Sequence, residues 1–155
     1  MSIKAPTVLV TGIGNPDRGD DGFAAAVIAR LRERLPASVR LLARHGDLLA
    51  LLNDWDGFDS VILVDAAAPI DEPGRIHRLD LAAGPLSLGW SRSSTHAFGL
   101  GETVELARNL GRLPRRLVLY VVEGEKFHIG EPLSMAVADA VDPVAERILA
   151  ELCDI

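Results

Sequence analysis

Four side chains in this sequence have the types and spacing to do chemistry together. Asp20 and Asp21 stand side by side in the stretch V-L-V-T-G-I-G-N-P-D-R-G-D-D-G-F that runs from Val8 to Phe23. Asp65 ends the apolar run S-V-I-L-V-D at Ser60–Asp65, and His96 follows Ser93, Ser94 and Thr95. Carboxylate oxygens and a neutral imidazole nitrogen suit a borderline divalent cation such as nickel, zinc, manganese or iron, and three protein ligands leave positions open for a substrate. The first stretch also has the strand, Gly-rich turn and helix of a phosphate or dinucleotide site, with Gly12 and Gly14 allowing a tight turn and Asn15-Pro16 delaying the helix. That alternative, a nucleotide-binding regulatory domain using the Gly12–Asn15 turn, meets three obstacles. G-x-G-x-x-G needs a glycine where Asp17 stands, no G-K-[ST] follows, and Asp20 and Asp21 would repel a phosphate.

The elements that must position these residues follow from apolar periodicity. Val8–Val10, Val39–Leu42, Ser60–Asp65, Arg75–Leu81 and Leu117–Val122 read as strands, the third and fifth continuously apolar as strands buried on both faces should be. Between them, Phe23, Val27, Leu31 and Leu35 recur at helical spacing up to Pro36, and a short helix is expected from Asp47 as N-cap towards Trp55. A longer helix is expected from His96 to Leu110 with Ser93, Ser94 or Thr95 as cap, and a last one from Met135 to Leu152 with a kink or break at Pro143. Ile76, Leu79 and Leu81 are the expected inward positions of the fourth strand. This alternation predicts an α/β fold: a single domain over residues 1–155, a three-layer αβα sandwich with a largely parallel, five-stranded twisted sheet. In such a sheet, ligands bind outside the carboxyl ends of the strands. Asp21, Asp65 and the first turn of the His96 helix should all lie at that edge. A helix N-terminus disfavours imidazolium, which keeps His96 in the form that ligates metal.

Each residue also has an ordinary role. Asp65 could hydrogen-bond the amides of the next loop, His96 could be a structural first-turn residue, and either acid of the pair could be a helix N-cap. Asp20 is the better cap, with a general-base role as its alternative. His45, His77 and His128 lack ligand spacing, and Cys153 reads as a packing residue. The Glu123-Gly124-Glu125 loop reads as solvated. No H-E-x-x-H or G-x-S-x-G is present.

Composition narrows the partners. The 155 residues are 48% hydrophobic and 25% charged, the balance of a globular chain, with a net charge of −6 that argues against nucleic acid and gives no support to anionic membranes. The basic cluster Arg112, Arg115 and Arg116 is accounted for by a solvated helix end. A single cysteine allows no internal disulfide, the segment Met1–Thr7 has no signal-peptide core, and no apolar run reaches membrane-spanning length. A cytoplasmic protein is expected, with no membrane partner.

With these residues assembled, the chain resembles the hydrogenase maturation proteases, the nickel-dependent endopeptidases that process [NiFe]-hydrogenase large subunits. The resemblance covers nearly the full length: G-I-G-N-P-x-R-G-D-D-G at Gly12–Gly22, V-I-L-V-D-A at Val61–Ala66, S-S-T-H at Ser93–His96, L-P-R-R-L-V-L-Y from Leu113, Glu123-Gly124, and I-G-E-P-L-S from Ile129. It implies that Asp21, Asp65 and His96 are both the metal ligands and the catalytic set. It implies removal of a C-terminal extension from the large-subunit precursor after nickel insertion, with the nickel brought by the precursor and another divalent metal able to sit in the isolated protein. The expected partner is that precursor, met by a chain that is monomeric when free, with the Gly84–Ser94 loop and Trp90 as a contact region. A non-catalytic, metal-dependent checkpoint or chaperone that binds the precursor is the alternative. Two departures stand out. The D-G-G-type turn after the second strand is replaced by Ala43-Arg44-His45-Gly46-Asp47, and a frequent glycine is Ala24. Both bear on substrate choice more than on the three ligands.

Overall fold

The computed structural model describes residues 7–84 and 99–155. Strands β1 (Val8–Ile13), β2 (Val39–Arg44), β3 (Ser60–Ala67), β4 (Ile76–Asp80) and β5 (Arg116–Glu123) form one sheet in the order β2-β1-β3-β5-β4. β1 runs parallel to β2 and β3, and β3 parallel to β5; β4 pairs antiparallel with β5 at one edge. Every residue of β1 and β3 is buried, as their unbroken apolar runs require of strands covered on both faces.

Alternation along the strands sorts side chains into two cores. Val10, Ile62, Val64, Val118 and Tyr120 pack against helix α1 (Phe23–Leu31) and the last helix, Met135–Leu152, through residues such as Phe23, Val27, Val144 and Ile148. Leu9, Val61, Leu63, Leu117 and Leu119 face the other way, against α2 (Leu51–Asp54) and α3 (Leu100–Asn109), whose contributions include Leu51, Trp55, Val104 and Ala107. Each such side chain contributes about 1.5–3 kcal/mol when fully buried, so two cores on opposite faces hold the three layers together. Ile76 and Leu79 of β4 fall on opposite faces, one against each core, because they are an odd number of residues apart.

Local expectations are met with adjustments. Asp47 caps the short 3-10 turn Leu48–Ala50 ahead of α2, accepting from the Leu49 N–H at 2.9 Å. α1 ends at Leu31, and Leu35 packs against the core from the turns beyond it. α3 begins at Leu100, with Gly99 as an extended N-cap; the expected caps Ser93, Ser94 and Thr95, and the contact candidate Trp90, lie outside the described residues. The final helix, α4 (Met135–Leu152), runs unbroken through Pro143. Val137, Val141, Val144 and Ile148 are buried on either side of that exposed proline, and their packing on the sheet outweighs the missing hydrogen bond. Cys153, expected to pack, is exposed at the C-cap of α4.

Candidate functional site

At the carboxyl end of β1 the chain leaves the sheet and enters a four-residue 3-10 turn, Gly19–Gly22, before α1 begins. The turn buries both of its acids, which have different surroundings. Asp20 is fully buried, and its carboxylate accepts four bonds: from the Glu125 N–H at 2.7 Å, the Lys126 N–H at 2.9 Å, the Ser134 N–H at 2.7 Å and the Ser134 hydroxyl at 2.9 Å. Asp20 is therefore not the helix cap expected of it. The turn and α1 both lack a side-chain cap, since the Asp20 carboxylate is committed to a loop more than a hundred residues away in sequence. Oδ2 takes three of these bonds and Oδ1 the fourth, so both oxygens are committed to the protein's own donors, which speaks against a general-base role.

Asp21 has the opposite arrangement. Its Oδ2 accepts from the Asn15 N–H at 2.8 Å, while its buried Oδ1 has no hydrogen-bond partner among the described residues. Gly14 sits against it at φ +141°, where an added Cβ would run into the Asp21 carbonyl and stand 3.0 Å from that bare oxygen. A buried oxygen without a partner is expensive.

Asp65 lies near the carboxyl end of β3, in register with Val121 of β5, and is 4% exposed. Its Oδ1 accepts from the adjacent Ala66 N–H at 2.8 Å. Burial pushes its pKa well above the usual carboxylate range; the Ala66 bond opposes this, and the negative charge of Asp21 adds to it. The fold thus brings Asp21 and Asp65 close enough to feel each other's charge. His96 lies outside the described residues. Among the described residues, no group of three His, Cys, Asp or Glu side chains could hold a metal ion. The pair nevertheless fits a cation as oxygen donors: both acids are buried, the negative charge of Asp21 disfavours the ionised form of Asp65, and one of their oxygens is bare.

Glu123, read from the sequence as part of a solvated loop, is the last residue of β5 and fully buried. Its Oε1 accepts from the N–H groups of Ile70, Asp71 and Glu72 at 2.7, 2.6 and 3.0 Å, and its Oε2 meets His77 Nε2 at 2.8 Å. Burial alone would raise its pKa, but His77 and the three amides outweigh it and hold the group at about 2. Glu123 therefore anchors the loop after β3, and His77 is engaged there. The only sequence signal for this anchor was an acid closing an apolar strand. His45 and His128 are exposed. Arg44, in the segment that replaces the D-G-G-type turn, is tied to Asp54 at 2.5 Å, beside a cavity of about 300 Å³ also lined by Gly12, Gly14, Asn15 and His45. Ala24 is buried where α1 crosses Gly12, a crossing so close that a Cβ on Gly12 would stand 3.2 Å from the Ala24 Cβ.

A largely parallel α/β sheet with two buried acids at its carboxyl edge has the layout of open α/β proteins, which bind ligands outside the carboxyl ends of their strands. Its family is equally clear. The chain belongs to the hydrogenase maturation protease family, whose model matches residues 29–151. It is 32% identical over 150 residues to the hydrogenase expression/formation protein HupD of Bradyrhizobium diazoefficiens, covering 93% of this chain and 78% of that one. It is 30% identical over 150 residues to the hydrogenase 2 maturation protease of Escherichia coli, covering 94% and 90% respectively. Among solved structures, an endopeptidase from Escherichia coli superposes with a TM-score of 0.82 at 27% identity, over 95% of this chain and 92% of that one. The [NiFe] hydrogenase maturation protease HycI from Thermococcus kodakarensis does so with a TM-score of 0.73 at 25% identity, over 92% and 90%.

Proposed function

We propose that this chain is an endopeptidase that removes the C-terminal extension of a [NiFe]-hydrogenase large-subunit precursor, and that it acts once nickel is in place in that precursor. The observation that carries the reading is the buried pair Asp21 and Asp65, with Asp21 Oδ1 bare, at the carboxyl edge of a sheet in this family's fold. Asp21, Asp65 and His96 would hold the nickel ion, which supplies Lewis-acid polarisation of the scissile carbonyl and a lowered pKa for the attacking water. The chain's own residues do the rest. Asp21 offers Oδ1 from a fixed place because Asn15 occupies Oδ2. Asp65, whose charge is disfavoured by burial, ionises when a positive charge stands beside it. Asp20 and Glu123 are fully engaged in holding loops and have no free oxygen for proton transfer. Water is the nucleophile in this reading. The one cysteine, Cys153, lies at the far end of α4, roughly 27 Å along its axis from the Asp20 clasp at Ser134.

The test is intact-mass spectrometry of a co-expressed large-subunit precursor, with and without nickel, against wild type, Asp21→Asn and His96→Ala. The expected result is a nickel-dependent loss of a C-terminal peptide by wild type only, with both variants folded. Binding of the cognate precursor without any change in its mass would replace the protease by a checkpoint. Normal cleavage by either folded variant would remove the three-ligand site.

A further inference from the structure

The turn that presents Asp21 is only four residues long and has no side-chain cap. A 3-10 turn of that length has little stability of its own, so whatever fixes Asp21 must come from outside it. Besides the local bonds of Asp21 to Asn15 and to the Arg18 carbonyl, the bonds that hold the turn run to the segment 125–134. The Gly19 N–H donates to the Glu131 carbonyl at 3.1 Å and the Asp20 N–H to the Lys126 carbonyl at 2.7 Å. Just upstream, Arg18 Nε donates to the Phe127 carbonyl at 2.8 Å, and the Gly130 N–H donates to the Asp17 carbonyl at 2.8 Å. The four bonds to the Asp20 carboxylate complete the clasp and are the only side-chain acceptors in it. Through Ser134, the N-cap of α4, they tie the turn to the longest helix of the fold.

We propose that Asp20 is a positioning residue for the hydrolysis: by clasping the 125–134 segment it holds the Gly19–Gly22 turn so that Asp21 keeps Oδ2 on Asn15 and Oδ1 bare. This rests on the protease reading above. Adjacent acids thus divide the work, one spending every oxygen on structure so that the other can leave one unspent. An amide cannot replace Asp20. Whichever way an asparagine were turned, its NH₂ group would face a backbone N–H of Ser134 or of Glu125 and Lys126, setting donor against donor.

The Asn15 amide reports the place of Asp21 directly, since its bond goes to Asp21 Oδ2. The experiment measures amide hydrogen exchange by NMR and precursor cleavage kinetics in wild type, Asp20→Asn, Ser134→Ala and, as a control of comparable stability loss, Ile148→Val in the core under α4. In Asp20→Asn the Asn15 amide is expected to exchange about tenfold faster than any general loss of stability explains. In the same variant kcat should fall about 10- to 100-fold, the range for groups that orient a ligand rather than ligate, with KM for the precursor unchanged. Ser134→Ala, which removes only the hydroxyl bond, should shift both readouts in the same direction by less, and it carries the test if Asp20→Asn does not fold. Ile148→Val should change neither beyond its effect on stability. Asn15 exchange that rises only in step with the β3 and β5 amides, or a kcat loss no larger than the control's at equal stability, would overturn the assignment. A wild-type protein that leaves its cognate precursor intact would instead overturn the protease reading, and Asn15 exchange would still decide what Asp20 does.

Discussion

Replacing Glu123 by glutamine should destabilise the fold at neutral pH by an amount that fades in acid. The native environment holds Glu123 at about 2, against 4.5 for an ordinary glutamate, because His77 and three backbone N–H groups outweigh the cost of burial. At about 1.4 kcal/mol per unit, that difference corresponds to about 3 kcal/mol of stability. Glu123 is fully buried, so solvent screening takes little from it. Because the folded-state pKa is the lower of the two, this contribution is complete above pH 4.5 and is lost as the pH falls towards 2. About 2 kcal/mol of it should be gone by pH 3. Glutamine keeps the shape and one acceptor oxygen for the Ile70, Asp71 and Glu72 amides but has no charge to lose. Urea unfolding of wild type and Glu123→Gln at pH 7 and pH 3 measures this directly. The gap between the two proteins should be about 3 kcal/mol at pH 7 and shrink by about 2 kcal/mol at pH 3. An equal gap at both pH values would refute the reasoning, since the acid would then have no charge-dependent role in the fold.

Two further substitutions test other parts of the structure. Gly14→Ala places a Cβ against the Asp21 carbonyl at a φ of +141°. It should displace the Gly19–Gly22 turn and abolish processing of the precursor while the far-UV circular dichroism keeps its wild-type form; normal processing would show that the close approach of Gly14 is unimportant. Pro143→Ala restores an N–H within α4 at an exposed position and should stabilise the protein by about 1–2 kcal/mol, visible as a higher thermal midpoint. A lower midpoint would mean that the helix bends at Pro143 to fit the sheet.

Much of the architecture could be read from apolar periodicity. Ser60–Asp65 and Leu117–Val122 are too continuously apolar to be half-exposed strands, and both became central strands of the sheet. Asp65 was expected to end its strand, but β3 continues through Ala66 and Ala67, which pair with β5, so Asp65 stands two residues before the carboxyl end. The helix ends were harder. Pro143 signals a break, yet the apolar residues on both sides of it are buried against the sheet, and that packing is a property of the assembled layers. Glu123 was misjudged for a related reason: its partners Ile70, Asp71, Glu72 and His77 come from the β3–β4 connection and from β4, and they reach it only once β4 pairs with β5.

The sequence by itself determined the α/β class, the five strands, and the presence of Asp21 and Asp65 at the carboxyl edge, because hydrophobic period and strand ends are local properties of the chain. It could not say which of two neighbouring aspartates would be structural. Asp20 and Asp21 are chemically identical and share the same turn, and their fates separate only through groups distant in sequence. The 125–134 segment delivers four donors to Asp20 and none to Asp21 Oδ1. Only the tertiary structure brings that segment to the turn, and so only the tertiary structure decided which carboxylate has an oxygen left for chemistry.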